Sequence, residues 1–163
     1  MHPGQTVRTL NELITVTRDG ERGFRACAAR ARDPRLRDHL LARAARCARA
    51  ALELAACVQQ LGGEPVRRGS RMGAVHRGWM GLRTALAMRD DAAILAECER
   101  GEGHALAMYR NALDDPLPEP VRELVQTQFV GVIENYEEIR QLHRFVVPAV
   151  TTVAPTSEGQ AAS

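Results

Sequence analysis

Two glutamates, Glu21 and Glu102, fall on the apolar stripes of separate predicted helices, with glycines on both sides of each, in Gly20-Glu21-Arg22-Gly23 and Gly101-Glu102-Gly103. A carboxylate that faces a core requires a partner or a proton. Each glycine inside a helix costs about 1 kcal/mol relative to alanine. Whatever this chain folds into must compensate for both penalties at the same two places.

The chain has 163 residues, 45% of them hydrophobic, enough for one domain with a real core. Aromatics make up only 4%, and alanine and leucine dominate, which suits helices rather than sheets and predicts an all-α fold. Every basic side chain apart from histidine is an arginine. The absence of lysine excludes Schiff-base chemistry and a phosphate loop ending in Gly-Lys-Ser/Thr. The formal charge of +2 conceals an asymmetry: residues 1–89 carry 17 arginines against 7 acids, and residues 90–163 carry 5 against 13. In a bundle the two halves lie side by side and partly neutralise each other. Cys27, Cys47, Cys57 and Cys98 form no Cys-x-x-Cys pair and read as buried thiols. No apolar stretch reaches the roughly 20 residues of a membrane span, and the start lacks the plan of a signal peptide. No membrane partner and a cytoplasmic location are therefore expected.

Helical periodicity divides the chain into five segments. Thr9-x-x-Glu12 is a capping box that predicts a first helix from Thr9, with the stripe Leu10, Leu13/Ile14, Thr17, Glu21, Phe24 and Cys27/Ala28. Asp33-Pro34 starts a second helix, with Leu36, Leu40, Ala44, Cys47, Ala51, Leu54 and Val58 inward, and Gly62-Gly63 ends it. Residues 64–70 read as the start of a long connection, followed by a short helix over Arg71 to Met88 that carries His76 and Trp79. Asp90 or Asp91 caps a fourth helix through Ile94, Cys98, Glu102, Ala105 and Tyr109. Three prolines between Asp114 and Pro120 break the pattern. A fifth helix then carries Val121, Val125, Phe129, Val132, Tyr136, Ile139 and Val146. Residues 1–8 and 148–163 are expected to be disordered, leaving a helical domain over 9–147.

Short breaks make antiparallel hairpins of helices one and two and of helices four and five, and the long segment links the hairpins. One long crossover between two hairpins is the plan of a ferritin-like four-helix bundle. The residues carry a matching resemblance. Gly101-Glu102-Gly103-His104-Ala105-Leu106-Ala107-Met108-Tyr109 resembles the Gly-Glu…Met-Tyr helix of rubrerythrin-type proteins, and Gly20-Glu21…Phe24 resembles the matching segment of their first helix. With Leu61-Gly62-Gly63-Glu64-Pro65, His76-Arg77-Gly78-Trp79-Met80 and Cys98-Glu99-Arg100-Gly101-Glu102, residues from about Leu10 to Leu142 resemble a bacterial family of uncharacterised ferritin-like bundle proteins. The resemblance implies the fold and brings no activity with it.

Di-iron proteins of this plan place one Glu on each of two helices and Glu-x-x-His on each of the other two. Here the paired positions fall near Cys47 and Ala50 and near Ile133 and Tyr136, so the carboxylate-imidazole pairs are gone. The leading expectation is a non-catalytic structural or interaction module, a homo-oligomer with no cofactor, in which Glu21 and Glu102 form a buried pair that shares a proton or hydrogen-bonds Tyr109, Tyr136 or an arginine. The alternative is that Glu21 and Glu102 bind iron or manganese and support oxygen or peroxide chemistry. His104, two residues after Glu102, points to the opposite side of its helix, and His76 and His143 have no matching partner in the sequence. The arginine run from Arg30 to Arg49 is interrupted by Asp33 and Asp38 and has no interleaved aromatic residue. It reads as a solvated, salt-bridging face rather than a nucleic-acid surface.

Overall fold

The computed structural model of the protein describes residues 2–67 and 78–146, among which there are five helices and no strand. These are α1 (Pro3–Arg30), α2 (Pro34–Gln60), α3 (Leu82–Met88), α4 (Asp91–Asp114) and α5 (Glu119–Val146). The predicted helix over Arg71 to Met88 is shorter than expected: Trp79 lies outside it and α3 begins at Leu82, with Gly81 as N-cap. The expected portion from Arg71 through Arg77, with His76, and the tail from Pro148 lie outside the described residues.

The helix ends follow local chemistry. Pro34 opens α2, and the Asp33 side chain accepts from Arg35 N at 2.9 Å, as an N-cap does. Asp90 caps α4 in the same way through Ala92 N, at 3.0 Å. Gly62, at φ +77°, lets the chain turn off the end of α2 without the clash a Cβ would bring there. The start of α1 differs from expectation. The helix begins at Pro3 with His2 as N-cap, so residues 3–8 are helical, and Thr9 is an interior residue rather than a cap. The reason is tertiary: Thr6 and Thr9 are buried, and the Thr9 hydroxyl donates to Asp115 at 2.8 Å, on the loop after α4.

Cross-helix contacts fix the directions. Val7 lies against Gly63 and Gly20 against Cys47, so α1 and α2 run antiparallel. Thr9 meets Asp115 while the backbone N–H groups of Arg32 and Asp33 donate to Asp91, so α1 and α4 are antiparallel too. Tyr109 pairs with Gln128 and Glu99 with His143, which sets α5 antiparallel to α4. The order is up-down-down-up, with α2 parallel to α4. The end of α2 therefore lies beside the start of α1, and the start of α4 beside its end. The intervening chain has to travel the length of the structure.

The core forms two apolar clusters. One gathers Phe24, Cys27, Leu36, Leu40, Ile94, Cys98 and Ile139 toward the α1–α2 turn; the other gathers Leu10, Ile14, Leu54, Val58, Tyr109, Val121 and Val125 toward the opposite end. Glu102 and Asn135 fall between them.

Trp79 explains the glycines. Its indole is buried between α1 and α4, edge-on to the Phe24 ring with centroids 5.0 Å apart. A Cβ at Gly23 or at Gly101 would come within 3.0 Å of that indole. Both helices thus give up a side chain so that the crossover can seat its one large aromatic residue between them. Gly20 serves α2 instead, since a Cβ there would meet the Cys47 sulfur at 3.3 Å. In unfolding by urea, Gly23→Ala and Gly101→Ala are each expected to lose roughly 1–3 kcal/mol through overpacking, even though alanine is the better helix former. Gly131→Ala on α5, whose added Cβ meets nothing within 4 Å, is expected to gain up to about 1 kcal/mol. Equal effects at the three positions would refute the seating of Trp79.

Candidate functional site

The interior polar group is built on three helices. Glu102 on α4 is 1% exposed, and Arg43 on α2 lies across it with both arms of its guanidinium. Nε donates to Oε2 at 3.0 Å and Nη2 to Oε1 at 2.7 Å. Asn135 on α5, fully buried, adds a third donor from Nδ2 to Oε2 at 2.5 Å. The Asn135 Oδ1 atom has no hydrogen-bond partner among the described residues. The Phe24 ring sits 5.8 Å from the Arg43 guanidinium and covers it with a π face. Burial alone would make Arg43 easier to deprotonate, but the adjacent Glu102 charge and its hydrogen bonds outweigh that and hold the guanidinium above its ordinary range.

Glu102 thus faces the core as its position on the stripe predicts, whereas Glu21 does not join it. The Glu21 side chain is 24% exposed and pairs with Arg25 one turn on, at 2.8 Å. Gly20, buried, occupies the core position beside it, and a step of one residue turns Glu21 by about 100° toward the rim. The two carboxylates have separate arginine partners. Among the described residues no group of three or more His, Cys, Asp or Glu side chains is placed to hold a metal ion. A di-iron pair needs bridging carboxylates with imidazoles around them, and this donor set does not fit one. His143 Nδ1 lies 2.9 Å from Glu99 at the surface, and the His104 ring packs against Gly78.

The arginine run is not uniformly solvated. Arg43 is 7% exposed and belongs to the core, while Arg46 and Arg49 stand outside it. Across the two halves of the chain, the described ion pairs are Arg43 with Glu102 and His39 with Glu138 at 3.6 Å. Two positions that sequence periodicity passed over carry the site. Arg43 lies three residues after Leu40 and four before Cys47, and Asn135 three after Val132 and four before Ile139. That spacing puts both on the inward face. The signal was present, but an arginine in an arginine-rich stretch reads as surface.

Beside this cluster, α2 and α5 are held apart. Tyr109 donates its hydroxyl to Gln128 Oε1 at 2.8 Å, and Gln128 Nε2 reaches over to Ala50 O at 3.2 Å and Glu53 Oε2 at 2.8 Å. Next to this bridge lies a cleft of about 290 Å³, with Thr17, Cys47, Tyr109 and Val132 in its lining and Arg46 and Arg49 at its mouth. Of the four cysteines, all free, Cys27, Cys47 and Cys98 are buried and Cys57 is partly exposed. Burial pushes the Cys47 thiol up to about 12, against the opposing pull of Arg43. It also raises Cys98 and Tyr109. At neutral pH these groups are protonated, so the cleft offers no thiolate nucleophile.

Residues 5–115 match the model of a family described as Domain of unknown function (DUF2383). No curated protein matches the chain. The matched span runs from α1 through α4 and includes Arg43, Trp79 and Glu102; Asn135 and Gln128 lie beyond it.

Removing one partner of a buried ion pair leaves an uncompensated charge. Arg43→Met is expected to cost about 3–5 kcal/mol in urea unfolding. The double variant Arg43→Met, Glu102→Leu should recover most of that loss, because an apolar pair needs no counter-charge. A single variant as stable as the wild type would rule out the ion pair. Alkaline titration gives a second check. The unfolded Cys47 thiol ionises near 9.0 while the folded one keeps its proton to about 12. Across that interval the unfolded chain binds fewer protons, so the contribution is complete below pH 9 and is lost as pH rises toward 12. Cys47→Ala is expected to flatten this decline, measured by urea midpoints at successive pH values. Tyr109, Cys98 and Cys57, each raised by burial, act in the same sense and add to the slope.

Proposed function

The chain belongs to the DUF2383 family, and we propose that it is a ferritin-like four-helix bundle acting as a non-catalytic structural or interaction module, in which an internal ion pair stands where related bundles bind metal. The observation that carries this reading is the Arg43 guanidinium laid across both oxygens of Glu102. An arginine in that position supplies the positive charge that a bridging metal would otherwise bring, in a planar fork suited to a carboxylate.

The up-down-down-up helix order and the single long crossover support the ferritin-like plan. The protonated thiols and the neutralised carboxylate favour a structural interior over a reactive one. No helix among the described residues is long and apolar enough to cross a membrane, in keeping with a cytoplasmic protein. Self-association is part of the proposal, through symmetric contacts of the kind that join most soluble oligomers. Iron or manganese at Glu21 and Glu102 would have to displace Arg25 from one carboxylate and Arg43 from the other.

Elemental analysis of protein purified without added metal tests this directly. Iron and manganese are expected well below one per chain and unchanged in a Glu21→Gln, Glu102→Gln variant. Stoichiometric metal that disappears in that variant would overturn the proposal. Light scattering on the same sample is expected to give a mass greater than one chain.

A further inference from the structure

The cleft between α2 and α5 has a division of polarity that points to one kind of ligand. Arg43, Arg46 and Arg49 recur every three residues on α2, and this spacing carries them progressively around the helix, from the core to the rim. Arg43 is spent on Glu102. Arg46 and Arg49 have no hydrogen bond or ion pair among the described residues, and both contribute to the cleft. The one carboxylate in the lining, Glu53, already accepts from Gln128.

The interior of the cleft offers little to a polar ligand. The Thr17 hydroxyl is committed to the carbonyls of Leu13 and Ile14. The Tyr109 hydroxyl is committed to Gln128, and the Cys47 thiol is a weak donor. Ala50 and Val132 add apolar surface, and Thr127 and Gln128 in the same lining already donate to Glu123 O and to Ala50 O and Glu53. Volume limits the size, since about 290 Å³ is at the bottom of the roughly 300–1,000 Å³ range of small-molecule sites.

We infer that this cleft binds a small carboxylate with a short apolar body, the carboxylate held at the mouth by Arg46 and Arg49 and the body lying against Ala50, Val132 and Cys47. Guanidinium groups suit a carboxylate because their paired N–H donors match its two oxygens. A free inorganic anion would satisfy the mouth and leave the apolar lining wet. A neutral chain of the same length would fill the lining and leave both arginines unpaired. Arg43, which also lines the cleft, stays engaged with Glu102, so the inference rests on the reading that this ion pair is intact, and the ligand's carboxylate falls to Arg46 and Arg49.

Isothermal titration of the full-length protein with hexanoate, alongside 1-hexanol and inorganic phosphate, tests the inference. One saturable hexanoate site is expected, with 1-hexanol and phosphate each weaker by about tenfold or more. Arg46→Gln, Arg49→Gln changes only exposed side chains and should leave the thermal midpoint in place while weakening hexanoate by about tenfold or more. Gly131→Leu, which projects a side chain into the cleft, should abolish binding. The inference is overturned by hexanoate that does not saturate at about 10 mM, a concentration where even weak specific sites fill. It is equally overturned by affinity unchanged in the arginine variant, or by phosphate that binds as tightly as hexanoate.

Discussion

The Arg43–Glu102–Asn135 cluster is the constraint around which the rest of the molecule is arranged. A carboxylate taken out of water costs several kcal/mol unless its charge and lone pairs are met, and here three donors from two other helices meet them. A bidentate fork tolerates little displacement. The relative heights of α2, α4 and α5 are therefore fixed at one level, between two apolar clusters that would by themselves accept several registers. Hydrophobic burial drives the helices together without direction; the ion pair says where they stop.

The same cluster connects to the crossover through aromatic contacts. Phe24 lies over the Arg43 guanidinium on one side and meets the edge of Trp79 on the other. Trp79 in turn sits where Gly23 and Gly101 have no side chains. The loss of helix propensity at those glycines is offset by burying a large indole. The crossover is thereby anchored at its midpoint. Gly81 follows the same logic, since its N–H donates to the buried Glu97 at 2.9 Å and a Cβ there would meet that carboxylate.

One seam is less closed than the others. Between α2 and α5 the Gln128 bridge and the interior cluster carry much of the polar contact, and small residues on both helices leave space beside them. Arg46 and Arg49 find no acid opposite, because the acids of α5 engage other partners or point elsewhere: Glu138 lies near His39, and Glu137 near Arg140. The charge asymmetry between the halves of the chain is thus only partly cancelled within the fold, and Arg46 and Arg49 at the mouth of this cleft are among the charges left over.

Much of the helical organisation was legible in the sequence, because a period of 3.6, Asp-Pro and Asp-Asp starts, and Gly-Gly or proline stops are local signals. They place α2, α4 and α5 closely and give the hairpin order. They fail at the start of α1, where Thr9 has the form of a cap, yet the burial of Thr6 and Thr9 extends the helix to Pro3. Glu102 was legible as an interior acid from its place on the stripe. An arginine is among the partners expected for it from the sequence, but neither Arg43 in particular nor Asn135 is, since both satisfy the same periodicity but are residue types usually found outside. The sequence by itself determined that acids and glycines had to be accommodated within helical faces. Only the tertiary structure decided that Glu102 turns in and Glu21 turns to the rim, that an arginine meets the buried acid, and that a tryptophan fills the space of the glycines. These outcomes depend on which helices become neighbours, and that is set by contacts between residues distant in the chain rather than by any local pattern.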